Sequence, residues 1–184
     1  MNAKLLGTSM LLGIMAMSTG CSRWGAAWEG ARIGKNLAKR DSYLRIYLNG
    51  QEAKQSKLKK GYFGYAAYKC TKPVSKDVTF RFEFIDEAKF GRVTGSSMRI
   101  HKEFAAGKSD LAEFTITQRT SGSEGALRPG TDYLLSAIGS QCRVVDFNNN
   151  EVGGVTLEPG LEYLLVFTIT GDRSESVQVL FETK

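Results

Sequence analysis

From Ser42 onward the chain repeats with a period of two. The clearest case is Val78-Thr-Phe-Arg-Phe-Glu-Phe-Ile85, in which Phe80, Phe82 and Phe84 share one side and Arg81 and Glu83 the other. Side chains on a strand point alternately to opposite faces, so such a stretch can bury one side against a core and wet the other. Leu44, Ile46 and Leu48 alternate with Arg45 and Tyr47 in the same way, and Asn49-Gly50 follows as a hairpin turn signal. Met98 and Ile100 alternate with Arg99 and His101, and Ala112, Phe114 and Ile116 form a further inward set. Strands are also expected over 61–70 with a bulge near Gly64, and over 142–147, 152–157, 161–170 and 176–182. The polar, Lys-rich stretch 51–60 and the small-residue stretch 120–125 read as loops. About nine mostly antiparallel strands, with few if any helices past residue 41, predict an all-β fold, a single β-sandwich over residues 42–184.

One nine-residue pattern occurs twice. Leu127-Arg-Pro-Gly-Thr-Asp-Tyr-Leu-Leu135 and Leu157-Glu-Pro-Gly-Leu-Glu-Tyr-Leu-Leu165 both read L-x-P-G-x-[DE]-Y-L-L. Proline fixes φ and glycine permits positive φ, so Pro129-Gly130 and Pro159-Gly160 each predict a tight turn. Tyr133 and Tyr163 then enter a strand. The pattern resembles the tyrosine corner of fibronectin type III and immunoglobulin-like sandwiches, which implies a buried ring and a hydroxyl bonded to the turn's own backbone. Thirty residues is too short a period for tandem domains, so the same turn chemistry is read as used twice in one domain. The resemblance implies an immunoglobulin-like or transthyretin-like topology and nothing about a ligand.

The start of the chain has a different character. Met-Asn-Ala-Lys precedes an apolar run from Leu5 to Met17, then Ser18-Thr19-Gly20-Cys21. A basic beginning, a short apolar run and small residues before a cut site describe an export signal. The run is shorter than the ~20 apolar residues that span a bilayer. With Gly20 before Cys21, the stretch resembles a bacterial lipoprotein signal. It departs from that pattern at Ser18, where an aliphatic residue is usual. The resemblance implies a signal peptide over residues 1–20, lipidation at Cys21, and Ser22 as an outer-membrane sorting choice, facing the periplasm or the cell surface. The alternative is an ordinary secretory signal.

Charge divides the rest. Residues 21–70 hold 11 Lys/Arg against 3 Asp/Glu, and residues 71–184 hold 13 against 16. Residues 21–41 read as a basic tether, partly helical, with Trp24 and Trp28 on one helical face and Arg32, Lys35, Lys39 and Arg40 close by. Interfacial helices combine such residues, and basic segments beside an anchor are drawn to anionic head groups. Gly25, Gly30 and Gly34 favour a flexible tether instead. A nucleic-acid partner is not expected for an exported chain.

Two further cysteines, Cys70 and Cys142, belong on this reading to an oxidising compartment, so a disulfide between them is expected. Closing so long a loop would contribute roughly 4 kcal/mol on the chain-entropy model. Two buried free thiols are the other reading.

No cofactor or metal is expected: there is no CxxC and one histidine, His101. No nucleophile elbow or phosphate-binding loop is present, and Ser56-Lys-Leu-Lys59 lacks the rest of the S-x-x-K signature. No enzyme is expected. What remains is surface. Tyr62, Tyr65 and Tyr68 adjoin Lys57, Lys59 and Lys60, residue types of protein interfaces, although the rings also fit a strand's core face. The expected role is a lipid-anchored, non-catalytic adaptor or structural component that binds another envelope protein. That plan is similar to the lipoprotein of type VI secretion systems. The alternative is a periplasmic ligand-binding or inhibitor module, marked by an apolar pocket between the sheets.

Overall fold

The computed structural model describes residues 42–56, 66–102 and 112–184. They form an all-β, sandwich-like domain of two sheets. The strands, in chain order, are β1 Leu44–Leu48, β2 Gln51–Glu52, β3 Lys54–Gln55, β4 Ala66–Lys69, β5 Thr79–Phe84, β6 Val93–Lys102, β7 Phe114–Gln118, β8 Tyr133–Leu134, β9 Cys142–Asp146, β10 Glu151–Val152, β11 Glu162–Gly171 and β12 Ser174–Glu182. A four-residue helix α1, Glu87–Phe90, and a 3-10 helix η1, Leu135–Ser140, complete the described elements. The four-stranded sheet has the order β2-β1-β5-β8, and the eight-stranded sheet β10-β9-β7-β6-β11-β12-β4-β3. Pairings between these strands are antiparallel except β12 with β4, and an isolated parallel bridge joins Val74 to Thr183.

The alternation decides which side each strand buries. Leu44, Ile46, Leu48, Phe80 and Phe82 of the smaller sheet face Met98, Ile100, Ile116, Phe167 and Val179 of the larger, all of them buried. The Phe167 ring lies 5.0 Å from that of Phe80 and 4.9 Å from that of Phe82. Three rings therefore fill the middle of the space between the sheets, where a ligand cavity of a binding module would have to open.

The strand count exceeds nine because both sheets end in two-residue strands: β2, β8, β10 and β3 hold the four edges. Very short edge strands offer little unpaired backbone to another chain. The chain also passes from sheet to sheet at these edges. Between β2 and β3 it crosses at buried Ala53, whose N–H bonds the Ile46 carbonyl at 2.8 Å. On the other side η1 makes the crossing, between the Leu135 N–H to Val78 carbonyl bond and the Val155 N–H to Leu135 carbonyl bond, both 2.9 Å. The strand expected over 152–157 is thus confined to β10, and the segment beyond Leu134 is helical rather than extended.

The expected disulfide does not form. Cys70 and Cys142 are both free and both buried. Cys70 directly follows β4 and Cys142 opens β9. Five strand positions separate β9 from β4 in the sheet order, on the order of 24 Å along the sheet at ~4.8 Å per strand. A bridge needs Cα atoms within ~7 Å. Burial pushes the Cys70 thiol up to about 11, and burial raises that of Cys142 too, against a lowering influence of Arg119.

The start of the domain is fastened to the β11–β12 hairpin. The Ser42 hydroxyl donates to Glu175 Oε1, and the Tyr43 N–H donates to both oxygens of the same carboxylate at 3.1 and 3.2 Å. Ser42 Oγ in turn accepts from the Leu44 N–H at 2.9 Å, and Arg173 Nη1 donates to the Tyr43 hydroxyl at 3.3 Å. Burial raises the Glu175 pKa, with the Ser42 and Tyr43 bonds opposing it. A carboxyl raised in the folded state binds its proton more readily there. Its contribution to stability is complete below the unfolded pKa and is lost as pH rises through the folded one. On acidification from neutral pH, wild-type stability should therefore gain relative to Glu175→Gln. Urea midpoints of both proteins across that range check this; parallel pH profiles would refute it.

Candidate functional site

The two Pro-Gly corners have the same geometry. The Tyr133 hydroxyl accepts from the Arg128 N–H at 2.7 Å, and the Tyr163 hydroxyl from the Glu158 N–H at 2.9 Å. Both rings are buried, and Gly130 and Gly160 hold φ of 73° and 77°. Proline supplies the first turn residue and glycine the positive φ that follows, which brings the upstream N–H back onto the phenol. Leu127 and Leu157 open the motif in the core, and Leu135 and Leu165 close it there. One corner leads into β8 of the smaller sheet and the other into β11 of the larger. The pattern is used once for each sheet. These residues are structural, and they place the strands that carry the outer faces.

Of the six residues read as a protein-binding cluster, Tyr68 alone is described. It lies on β4 opposite Val179 and packs against the core. Lys57, Lys59, Lys60, Tyr62 and Tyr65 lie outside the described residues, as do Cys21, Trp24, Trp28, Arg32, Lys35, Lys39 and Arg40. His101 stands opposite Leu164 across the β6–β11 pair and is half-buried. Among the described residues no group of three or more His, Cys, Asp or Glu side chains could hold a metal ion. Among them, too, no helix is long and apolar enough to cross a membrane.

The arrangement that stands out is on the outer face of the four-stranded sheet. Register puts Tyr47 opposite Arg81 and Arg45 opposite Glu83. The Arg81 guanidinium lies over the Tyr47 ring, 4.5 Å from its centroid. The Tyr47 hydroxyl donates to Glu83 Oε2 at 3.1 Å, and Arg81 Nε stands 3.5 Å from Glu83 Oε1. Ring, guanidinium and carboxylate hold one another in place. Such a stack is worth about 0.5–1 kcal/mol at an exposed site, and it also restricts the rotamers of the three side chains. At either end of the face stands an exposed aliphatic side chain, Ile85 after β5 and Leu134 on β8, 54% and 45% exposed. Glu52 at the β2 edge is engaged by Lys54 at 2.6 Å, and that hydrogen bond lowers its carboxyl pKa. The face proper thus carries Arg45 and Arg81 against Glu83, a net positive charge.

Sequence reading put Arg45, Tyr47, Arg81 and Glu83 on outward positions without joining them. The missing link is register: alternation assigns a face to each residue, and only strand pairing brings β1 and β5 side by side. The usable signal is that two alternating runs flank 49–77, each with an outward arginine two residues before an outward aromatic or acid.

Comparison of the chain with protein-family models, with curated proteins and with solved structures returned no match.

Proposed function

We propose that this chain is a lipid-anchored, non-catalytic adaptor of the bacterial cell envelope, with its anchor at Cys21 and residues 21–41 as a basic tether. Its domain is an immunoglobulin-like or transthyretin-like sandwich that docks another envelope protein, in the manner of a secretion-system component. The observation that carries the docking reading is the Tyr47–Arg81–Glu83 stack between exposed Ile85 and Leu134. Aromatic and arginine side chains dominate binding energy at protein interfaces when they are held rigid and flanked by apolar contacts. Two guanidinium groups against one carboxylate favour a partner surface with an acidic patch. The phenylalanine-filled space between the sheets weighs against the alternative of a small-ligand module.

Tagged full-length protein, crosslinked in the native envelope and solubilised in detergent, supplies the test. Recovery of the specific crosslinked partner should fall about ten-fold or more for Tyr47→Ala with Arg81→Ala, the loss typical of a hot-spot pair. Phe147→Ala, on the β9–β10 turn, should leave it unchanged. Cys21→Ser should release the protein into the soluble fraction. Crosslinking insensitive to the face variants would refute the docking surface, and an unmodified Cys21 in the intact mass would refute the anchor.

A further inference from the structure

We infer that Cys70 and Cys142 form a latch that acts only on the unfolded chain: joined by a disulfide, they prevent the two-sheet structure from forming. The geometry requires the two sulfurs to stay apart. The Cys70 N–H bonds the Leu180 carbonyl at 2.9 Å, which fastens Cys70 to the β12 side of the sheet. Cys142 pairs with Gln118 of β7 at the other side. Bringing their Cα atoms within disulfide reach would strip β4 from β12 or β9 from β7, and both strands contribute to the one core. The native fold also withholds the thiols from reaction. They are 4% and 2% exposed, and burial keeps them protonated, whereas the nucleophile is the thiolate.

Unfolding removes both protections. The thiols regain ordinary acidity and meet as ends of a flexible loop, at an entropic cost that grows only slowly with length. With a small-molecule disulfide such as oxidised glutathione as electron acceptor, the chemistry balances. The Cys70 thiolate attacks one glutathione sulfur and expels a glutathione thiolate. The Cys142 thiolate then attacks the Cys70 sulfur of the mixed disulfide and expels the second. The protein loses two protons and two electrons, which convert one glutathione disulfide into two thiols. The same exchange can begin at Cys142 with the same result. Folding and oxidation therefore compete for these cysteines. A chain that folds first is inert, and a chain oxidised first is held open until a reductant arrives.

The experiment uses the full chain carrying Cys21→Ser, so that two cysteines remain. Folded protein incubated with oxidised glutathione should keep both thiols, read by alkylation after denaturation. Protein unfolded in urea with the same reagent should form the Cys70–Cys142 bridge, seen by mass and peptide mapping. On dilution it should show no native near-ultraviolet circular dichroism, and a reductant should restore it. The chain with Cys70→Ala and Cys142→Ala as well should refold in oxidant without rescue. If that variant does not fold, the reductant rescue still decides. A bridged chain that regains the native signal would overturn the inference, as would a bridge formed in the folded protein without denaturant.

Discussion

Replacing Phe167 by alanine should destabilise the domain by about 3–5 kcal/mol, the range for removing a buried aromatic ring. The residue is fully buried on β11, and its ring is within 5.0 Å of Phe80 and 4.9 Å of Phe82 on the opposite sheet. These contacts are the ones that join the two sheets at their middle. The hole would be lined by rings on strands paired along their length, so the walls have little freedom to collapse into it. Against a typical domain stability of ~5–15 kcal/mol, that loss is a large fraction. Urea unfolding should show a lower midpoint with an unchanged slope. Phe147→Ala, at a position 55% exposed, should move stability by no more than about 0.5 kcal/mol. Similar midpoints for the two variants would mean that the sheets are not held together through these rings.

Much of the two-layer plan was legible in the residues because alternation is a local property. Phe80 against Arg81 and Ile46 against Arg45 declare their faces within a few residues, and buried Phe80 and Ile46 follow. Alternation puts Phe84 and Phe114 inward too, and they pack against the core while staying partly exposed near strand ends. What depends on long-range pairing could not be read this way. Nothing in Ala66–Lys69 announces that it lies parallel to β12, or that two-residue strands close all four edges. The helix η1 was hidden for another reason: Leu135, Ile138 and Gly139 are buried, so its sequence carries a core signal but no clear period.

The cysteine pairing failed on the same ground. The expected bridge rested on a count and a compartment, neither of which carries distance. Two cysteines on one broad sheet can share a core and never meet. The candidate docking face shows both sides of the limit. Alternation puts Arg45, Tyr47, Arg81 and Glu83 outward but does not announce that Ile85 and Leu134 are exposed, and the stack of Arg81 on Tyr47 exists because register sets those two positions opposite each other.

The tyrosine corners connect a short motif to the whole fold, and Tyr163 should be the more sensitive of the two. Tyr163→Ala should cost roughly 3 kcal/mol or more by opening a cavity beside Phe181, whose ring stacks on it at 5.8 Å. Tyr163→Phe keeps the ring and deletes one bond, leaving the Glu158 N–H without its phenol acceptor, at about 1 kcal/mol. Tyr133→Phe should cost a similar amount through the Arg128 N–H. The full truncation should separate the two corners. Tyr163 enters the ten-residue β11, flanked by β6 and β12, whereas Tyr133 enters the two-residue edge strand β8. The second corner is also bound to the end of the domain: the Gly160 N–H bonds the Thr183 carbonyl at 2.9 Å, and the Thr183 hydroxyl donates to the Glu158 carbonyl at 2.5 Å. Loosening it should therefore release the end of β12 with it. Gly160→Ala should act in the same direction, because φ of 77° strains any residue with a Cβ. Denaturant midpoints order these variants together with Tyr133→Ala, and amide hydrogen exchange at Leu161 and Thr183 reports the local loosening. Unchanged midpoints for both Tyr→Phe variants would mean that the phenol bonds contribute nothing to the corners, and equal losses for the two Tyr→Ala variants would remove the distinction between central and edge corner.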